Sequence, residues 1–279
     1  MRKVFNIVIL VAAMLLPQFA SAQESELKVM SYNIRFGPAK DGTNSWMYRC
    51  GATIEMLNDQ KPDVFGLQEA LEDQVRFLDE FVDDYDCVGV GREDGKKKGE
   101  QMSIFWNKKT VKMLKWGTFW LSETPKEPSK GWDARCKRTA TWALMKDKRT
   151  GKRFYFVNTH LDHAGAEARK NGLKLIVDSI SDINPQGYPM VLTGDFNILP
   201  TAPELKDLDA CMTSARKAAD KTDYFRTYNG WGKEKTDKVI DYIYYSGFAS
   251  CPEYQTITKE YSDRKYISDH YPIFARLIF

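Results

Sequence analysis

Apolar and polar positions alternate over Leu27–Asn33, which predicts a strand ending on a polar tip. From Trp46 to Gln60 the spacing becomes helical, with Ile54 and Leu57 among its apolar positions, and Pro62 stops it. Asp63–Gln68 is a short apolar run of buried-strand type, followed by a helix over Glu72–Phe81 and strands around Tyr85–Val90, Met102–Trp106 and Val111–Phe119. The second half repeats this rhythm. Thr139–Met145 and Phe154–Thr159 read as neighbouring strands joined by a turn at Asp147–Gly151, and Glu167–Ile183 is an amphipathic helix with Leu173, Ile176, Val177 and Ile180 at helical intervals. Met190–Thr193, Val239–Tyr245 and Ile273–Ile278 complete the strands. Each half therefore supplies strands with helices laid over them. The packing this predicts is a four-layer α/β sandwich, two mixed β-sheets flanked by helices, in one domain over residues 23–279.

The first 22 residues follow a different pattern. Arg2 and Lys3 precede an apolar run from Val8 to Leu16, and Ala20-Ser21-Ala22 forms a small-residue cleavage site before Gln23. The run is shorter than the roughly 20 residues a membrane span needs. It reads as a signal peptide, so an exported protein is expected, periplasmic or secreted, with no integral membrane association. Without Arg2 and Lys3, 39 basic residues face 38 acidic ones, a near-neutral body that does not advertise tight binding to a polyanion. The one basic run, Lys96-Lys97-Lys98 between Gly95 and Gly99, reads as a solvated loop. The five cysteines are scattered and form no C-x-x-C pair, which argues against a zinc or redox site and leaves disulfides open. A monomer is expected.

Candidate chemistry collects at strand ends. Every histidine (His160, His163, His270) falls inside an acidic or amide-bearing signature: Asn158-Thr159-His160-Leu161-Asp162-His163 or Ser268-Asp269-His270. Two more signatures are Leu67-Gln68-Glu69 and Gly194-Asp195-Phe196-Asn197. Glu69 closes an apolar run, where an unpaired carboxylate is costly; a salt bridge or a hard divalent cation resolves that cost. Asn33, at the tip of the first strand, can reach the same point as neutral ligand or donor, and Asp269 is a further candidate metal ligand. Asp195 and Asn197 share a side in extended geometry, the first suited to hold a nucleophilic water, the second to bond a phosphate oxygen. His270 suits transition-state donation or general acid/base work, and Asp241 is the candidate carboxylate on its other ring nitrogen. His160 is a second phosphate-contact candidate, with Arg138 and Asp162 as candidate substrate-binding residues.

Taken in order, Asn33, Gln68-Glu69, the N-T-H-L run, the G-D-F-N run, Asp241-Tyr242 and Ser268-Asp269-His270 resemble the endonuclease/exonuclease/phosphatase superfamily over essentially the whole chain after the leader. The resemblance implies a four-layer sandwich and Mg²⁺- or Mn²⁺-dependent hydrolysis of phosphoric esters. It places Asn33, Glu69 and Asp269 in the metal region, Asp195 and Asn197 around the attacking water and phosphate, His160 and His270 on phosphoryl oxygens, and Asp241 behind His270. Substrate is less legible. Hydrolysis of nucleic acid or scavenged organic phosphate outside the cytoplasm is the leading expectation, and a sugar-phosphate or lipid phosphodiesterase or phosphatase is second. A non-catalytic binding module is disfavoured, because none of Glu69, Asp195, Asn197, Asp269 or His270 is lost.

Overall fold

The computed structural model describes residues 26–279, and the leader over residues 1–22 lies outside them. The first half of the chain forms β1 (Glu26–Asn33), α1 (Trp46–Gln60), β2 (Val64–Gln68), α2 (Glu72–Phe81), β3 (Tyr85–Val88), β4 (Ile104–Asn107) and β5 (Val111–Trp120). The second half forms β6 (Thr139–Asp147), β7 (Arg153–His160), α3 (Ala166–Ile183), β8 (Met190–Asp195), α4 (Lys206–Cys211), β9 (Thr213–Ser214), α5 (Ala215–Ala218), β10 (Asp241–Ser246), β11 (Ser250–Thr256) and β12 (Ile273–Ile278). Helix α1 ends where Lys61 turns left-handed at φ 47° and its N–H bonds Leu57, one residue ahead of Pro62.

These strands build two six-stranded mixed sheets, ordered β11-β12-β1-β2-β4-β3 and β5-β6-β7-β8-β10-β9. Alternation along each strand sends successive side chains to opposite faces. Val29, Ile104, Phe156, Val191 and Ile243 fill the layer between the sheets. Met30 and Phe65 meet Met56 and Leu78 of α1 and α2, while Leu192 and Tyr244 meet Leu173 and Ile176 of α3. Helices thus cover both outer faces, and the four-layer α/β sandwich is the observed fold. No helix among the described residues is long and apolar enough to cross a membrane.

Each sheet holds one parallel pair, and a parallel pair needs a helical crossover. Helix α1 supplies it between β1 and β2, and α3 between β7 and β8. Register then places Asn33 beside Gln68 in one sheet and His160 beside Asp195 in the other. Antiparallel β10 starts directly opposite, with Asp241 against Asp195. Carboxyl ends of parallel strands are where open α/β sheets leave a crevice.

The sheets are pinned together just beneath that rim. Asn158, fully buried, accepts from Gln68 Nε2 at 2.7 Å and donates to the carbonyls of Leu67 (2.7 Å) and Ser103 (3.1 Å). Gly66 makes room for it, since a β-carbon there would lie 2.5 Å from the Asn158 amide carbon. The elements from Lys206 to Ala218 and strand β11 were not anticipated from the pattern. In β11, Pro252 and a register shift between Ser250 and Glu253 break the alternation that would have marked a strand. All five cysteines are free thiols.

Candidate active site

The strand ends converge on one cavity of about 440 Å³. Glu69 lines it from the first sheet, His160 and Asp195 from the second, and Asp269 and His270 from the segment before β12. Its lining carries both signs: Glu69 and Asp269 with Arg35 beside them, and Arg138 and Arg92 with Glu100 beside them.

Asp195 sits at the centre. Its Oδ2 accepts from Asn33 Nδ2 at 3.0 Å and its Oδ1 from the Asn197 N–H at 3.0 Å. His160 Nε2 and His270 Nε2 stand 3.5 and 3.7 Å from Oδ2. Burial, reinforced by the charge of Asp241, raises the Asp195 carboxyl to about 7. His270 moves in the other sense. Burial works against the charged ring, but Asp241 and Asp195 outweigh it and raise His270 to about 10, with Nδ1 donating to Asp241 Oδ2 at 2.9 Å. Asn197 reaches the cavity by a route other than strand alternation. Its backbone is left-handed (φ 51°), so a turn closed on Asp195 Oδ1, rather than extended geometry, brings the two side chains together.

Glu69 is itself left-handed (φ 63°). Its Oε2 accepts from the Phe36 N–H at 2.8 Å and its Oε1 from Asn33 Nδ2 at 3.1 Å. Burial alone would raise this carboxyl, but His270, the Phe36 N–H and Asn33 hold it below the ordinary carboxylate range. Asp269 is raised, by burial and then by the neighbouring charge of Glu69. Its Oδ2 lies 3.3 Å from Arg35, which also grips Asp41.

Of the two roles expected of Asn33, ligand or donor, its amide nitrogen fills the second. It donates to both Glu69 and Asp195, and its oxygen accepts the Arg35 N–H at 3.0 Å. Glu69 and Asp269, with Asp195 beside them, are hard oxygen donors whose mutual repulsion a divalent ion relieves, and the site therefore fits a hard divalent cation. Ligand atoms of Asp195, Asp241 and His270 also lie within 4.8 Å of one another. The Nδ1 atom of His270 is already spent on Asp241, which makes that trio a hydrogen-bonded relay rather than a cation cage.

Arg138 is buried and donates to Asp162 Oδ2 (3.2 Å) and His163 Nδ1 (2.9 Å), while its Nη1 has no partner. Asp162 does not contact the cavity as expected. Its two oxygens take the N–H groups of Ala164, Gly165 and Cys136 besides Arg138, and it positions the guanidinium instead of touching substrate. His160 accepts from Asn197 Nδ2 at 3.2 Å and is pushed well below the ordinary histidine value, by burial first and by Arg138 and Arg92 next. Its neutral ring therefore carries the proton on Nδ1, 4.0 Å from Glu100 Oε2.

Sequence reasoning missed Arg35, Arg92, Glu100, Tyr228 and Lys238, all of which line the cavity. Arg92 and Glu100 pair at 2.7 Å across a loop closed by the Gly91–Gln101 bridge. A charge of each sign flanking the glycine-bounded lysine run was the available signal. The lysines themselves stay outside the cavity, and Lys97 pairs with Glu72 at 2.7 Å. Trp46 packs edge-on against Phe77, and Trp120 is buried with its N–H on the Arg92 carbonyl, so neither offers a stacking surface. A recess of about 390 Å³ between α3 and Pro203–Asp207 shares no residue with the cavity and holds no histidine.

Comparison with known proteins agrees with this geometry. A model of the endonuclease/exonuclease/phosphatase family matches residues 30–270. A family protein of Bacteroides thetaiotaomicron superposes with a TM-score of 0.88 at 33% identity, covering 92% of this chain and 99% of that one. The mannosyl-6-phosphatase of the same organism gives 0.86 at 33% identity, covering 91% and 100%. Danio rerio TDP2, complexed with a single-stranded DNA product, gives 0.73 at 18% identity, covering 92% and 100%, a likeness of fold alone.

Proposed function

The chain belongs to the endonuclease/exonuclease/phosphatase family, and on that premise we propose that it is a divalent-metal-dependent phosphatase of small phosphoric monoesters, sugar phosphates foremost. The carrying observation is that Arg92 and Arg138 line the same cavity as Asp195 and His270. A monoester presents a dianion with three terminal oxygens, and two guanidinium groups beside a protonated His270 suit that charge better than a diester's single one. The likeness to a mannosyl-6-phosphatase at 33% identity supports the same reading. A polynucleotide would call for a basic track, yet Lys96–Lys98 stand outside the cavity. Export by way of residues 1–22 belongs to this proposal.

In this reading Asp195 Oδ2 takes the proton of the attacking water, held in place by Asn33 Nδ2 and by the Asn197 N–H on Oδ1. Protonated His270 donates from Nε2 to a phosphoryl oxygen as charge builds, and Asp241 stabilises the imidazolium. Arg138 and Arg92 neutralise the terminal oxygens, while Asn197 and His160 orient the group. Glu69 and Asp269 would hold a divalent cation, which when bound supplies Lewis-acid polarisation of the ester.

The test compares initial rates with Mg²⁺ on hexose 6-phosphates, glycerol 2-phosphate, bis-p-nitrophenyl phosphate and single-stranded DNA. Preferential release of phosphate from the monoesters is expected. Faster cleavage of DNA or of the diester would overturn the monoester reading and restore the nuclease one.

A further inference from the structure

Beside the catalytic cavity, and sharing Arg35, Tyr228 and Asp269 with it, lies a second recess of about 460 Å³. Resting on the monoester reading, we propose that this recess seats the leaving alcohol and that it is built for a hexose ring, with Trp231 as the platform and Arg35, Asp41, Lys233 and Glu234 around it.

The segment that carries Trp231 is held in an unusual shape. Gly230, Trp231 and Gly232 are all left-handed, with φ of 53°, 59° and 78°. Glycine takes that conformation freely, but for tryptophan it is strained, and such strain persists only where the surroundings over-determine it. They do so here. The N–H groups of Asn229 and Gly230 both bond the Asp269 carbonyl at 2.8 and 3.0 Å, Asn229 Nδ2 bonds the Ser268 carbonyl, and Asn229 Oδ1 accepts the Trp231 N–H at 2.8 Å. A side chain at Gly232 would meet Tyr266 at 2.6 Å. The indole is thus fixed relative to Asp269, a residue of the catalytic cavity. Buried Arg49 lies against its ring, 5.7 Å from the centroid, and supports it from below.

The surroundings match a polyol. The recess offers one aromatic platform, since Tyr228 is already engaged edge-on by His270 and by the Lys238 ammonium. Around it stand the Arg35–Asp41 ion pair, the Lys233 ammonium and the Glu234 carboxylate, charges of both signs that vicinal hydroxyls can bridge.

The test uses the full chain with Mg²⁺ and the ratio of kcat/KM for mannose 6-phosphate or glucose 6-phosphate to that for glycerol 2-phosphate, which has no ring to stack. Trp231→Ala should lower this ratio about tenfold, mainly through KM for the hexose ester, and Trp231→Phe should restore most of it. An unchanged ratio overturns the proposal. So does an equal loss on both substrates, because the segment would then only be propping Asp269. If Trp231→Ala does not fold, Trp231→Leu and Lys233→Ala measure the same ratio, and an unchanged ratio in both overturns it. A wild-type protein that releases phosphate from no monoester sinks the underlying reading and this proposal with it, an outcome distinct from failure of the variants alone.

Discussion

His270 donates from Nδ1 to Asp241 Oδ2 at 2.9 Å, deep enough in the protein that both side chains are almost wholly buried. This contact controls two titrations, since the Asp241 charge raises His270 and, across β10 and β8, raises Asp195 as well. Asp195 must be ionised to accept a proton, so kcat/KM should climb as pH rises through about 7 and fall as His270 deprotonates near 10. Asp241→Asn removes the charge that raises both groups. Both limbs of the pH–rate profile should move to lower pH, alongside a large loss of kcat; limbs that stay in place would contradict the relay.

Asn33 bridges Glu69 and Asp195 as a double donor. Asn33→Asp replaces a donor shared by two carboxylates with a third negative charge at the same point. The acid limb should shift upward and the rate at neutral pH should fall by about tenfold or more. A profile like the wild type's would show that the amide has no part in setting Asp195.

Arg138 and Asp162 form a buried pair, and removing one partner of such a pair costs about 3–5 kcal/mol. Asp162→Ala should show that loss in urea unfolding near neutral pH. Burial alone would raise the Asp162 carboxyl, but the N–H groups around it and Arg138 hold it well below the usual carboxylate range. A depressed carboxyl gives stability that is present above its unfolded value and lost as pH falls toward the folded one. The wild type should therefore lose stability between about pH 5 and pH 2, and Asp162→Asn should flatten that slope.

Arg49 is a buried guanidinium whose hydrogen bonds go to carbonyls, those of Ile34, Arg35, Asn44 and Ile267. It ties α1 to the segments that carry Arg35 and Asp269. Arg49→Met leaves these carbonyls without their donor and should destabilise the protein by about 3 kcal/mol, read as a lower Tm. An unchanged Tm would mean that water or neighbouring donors replace it.

Much of this was legible in the sequence because helices and buried strands write their period directly. Both α1 and α2 begin and end where their spacing and Pro62 place them. His160 and Asp195 were legible for a related reason: a polar residue closing an apolar run has few places to go. Asp241 and His270 stood out as polar residues beside the runs that become β10 and β12. Arg35, Arg92 and Glu100 were not, since they reach the cavity through loops whose course depends on left-handed residues and an isolated bridge. Asp162 was read as a substrate contact because its residue type suits that work. Which lone pairs remain free depends on neighbours such as the Gly165 and Arg35 N–H groups, and spacing carries no record of those.

The most direct measurement is phosphate release from a hexose 6-phosphate by wild type and Glu69→Gln, each with Mg²⁺, after EDTA, and after Mg²⁺ is restored. Turnover that EDTA abolishes and Mg²⁺ restores, with Glu69→Gln slower by about a hundredfold or more, is the expected result. Turnover undiminished by chelation, or a Glu69→Gln enzyme at the wild-type rate, would contradict a metal-dependent phosphatase centred on these strand ends.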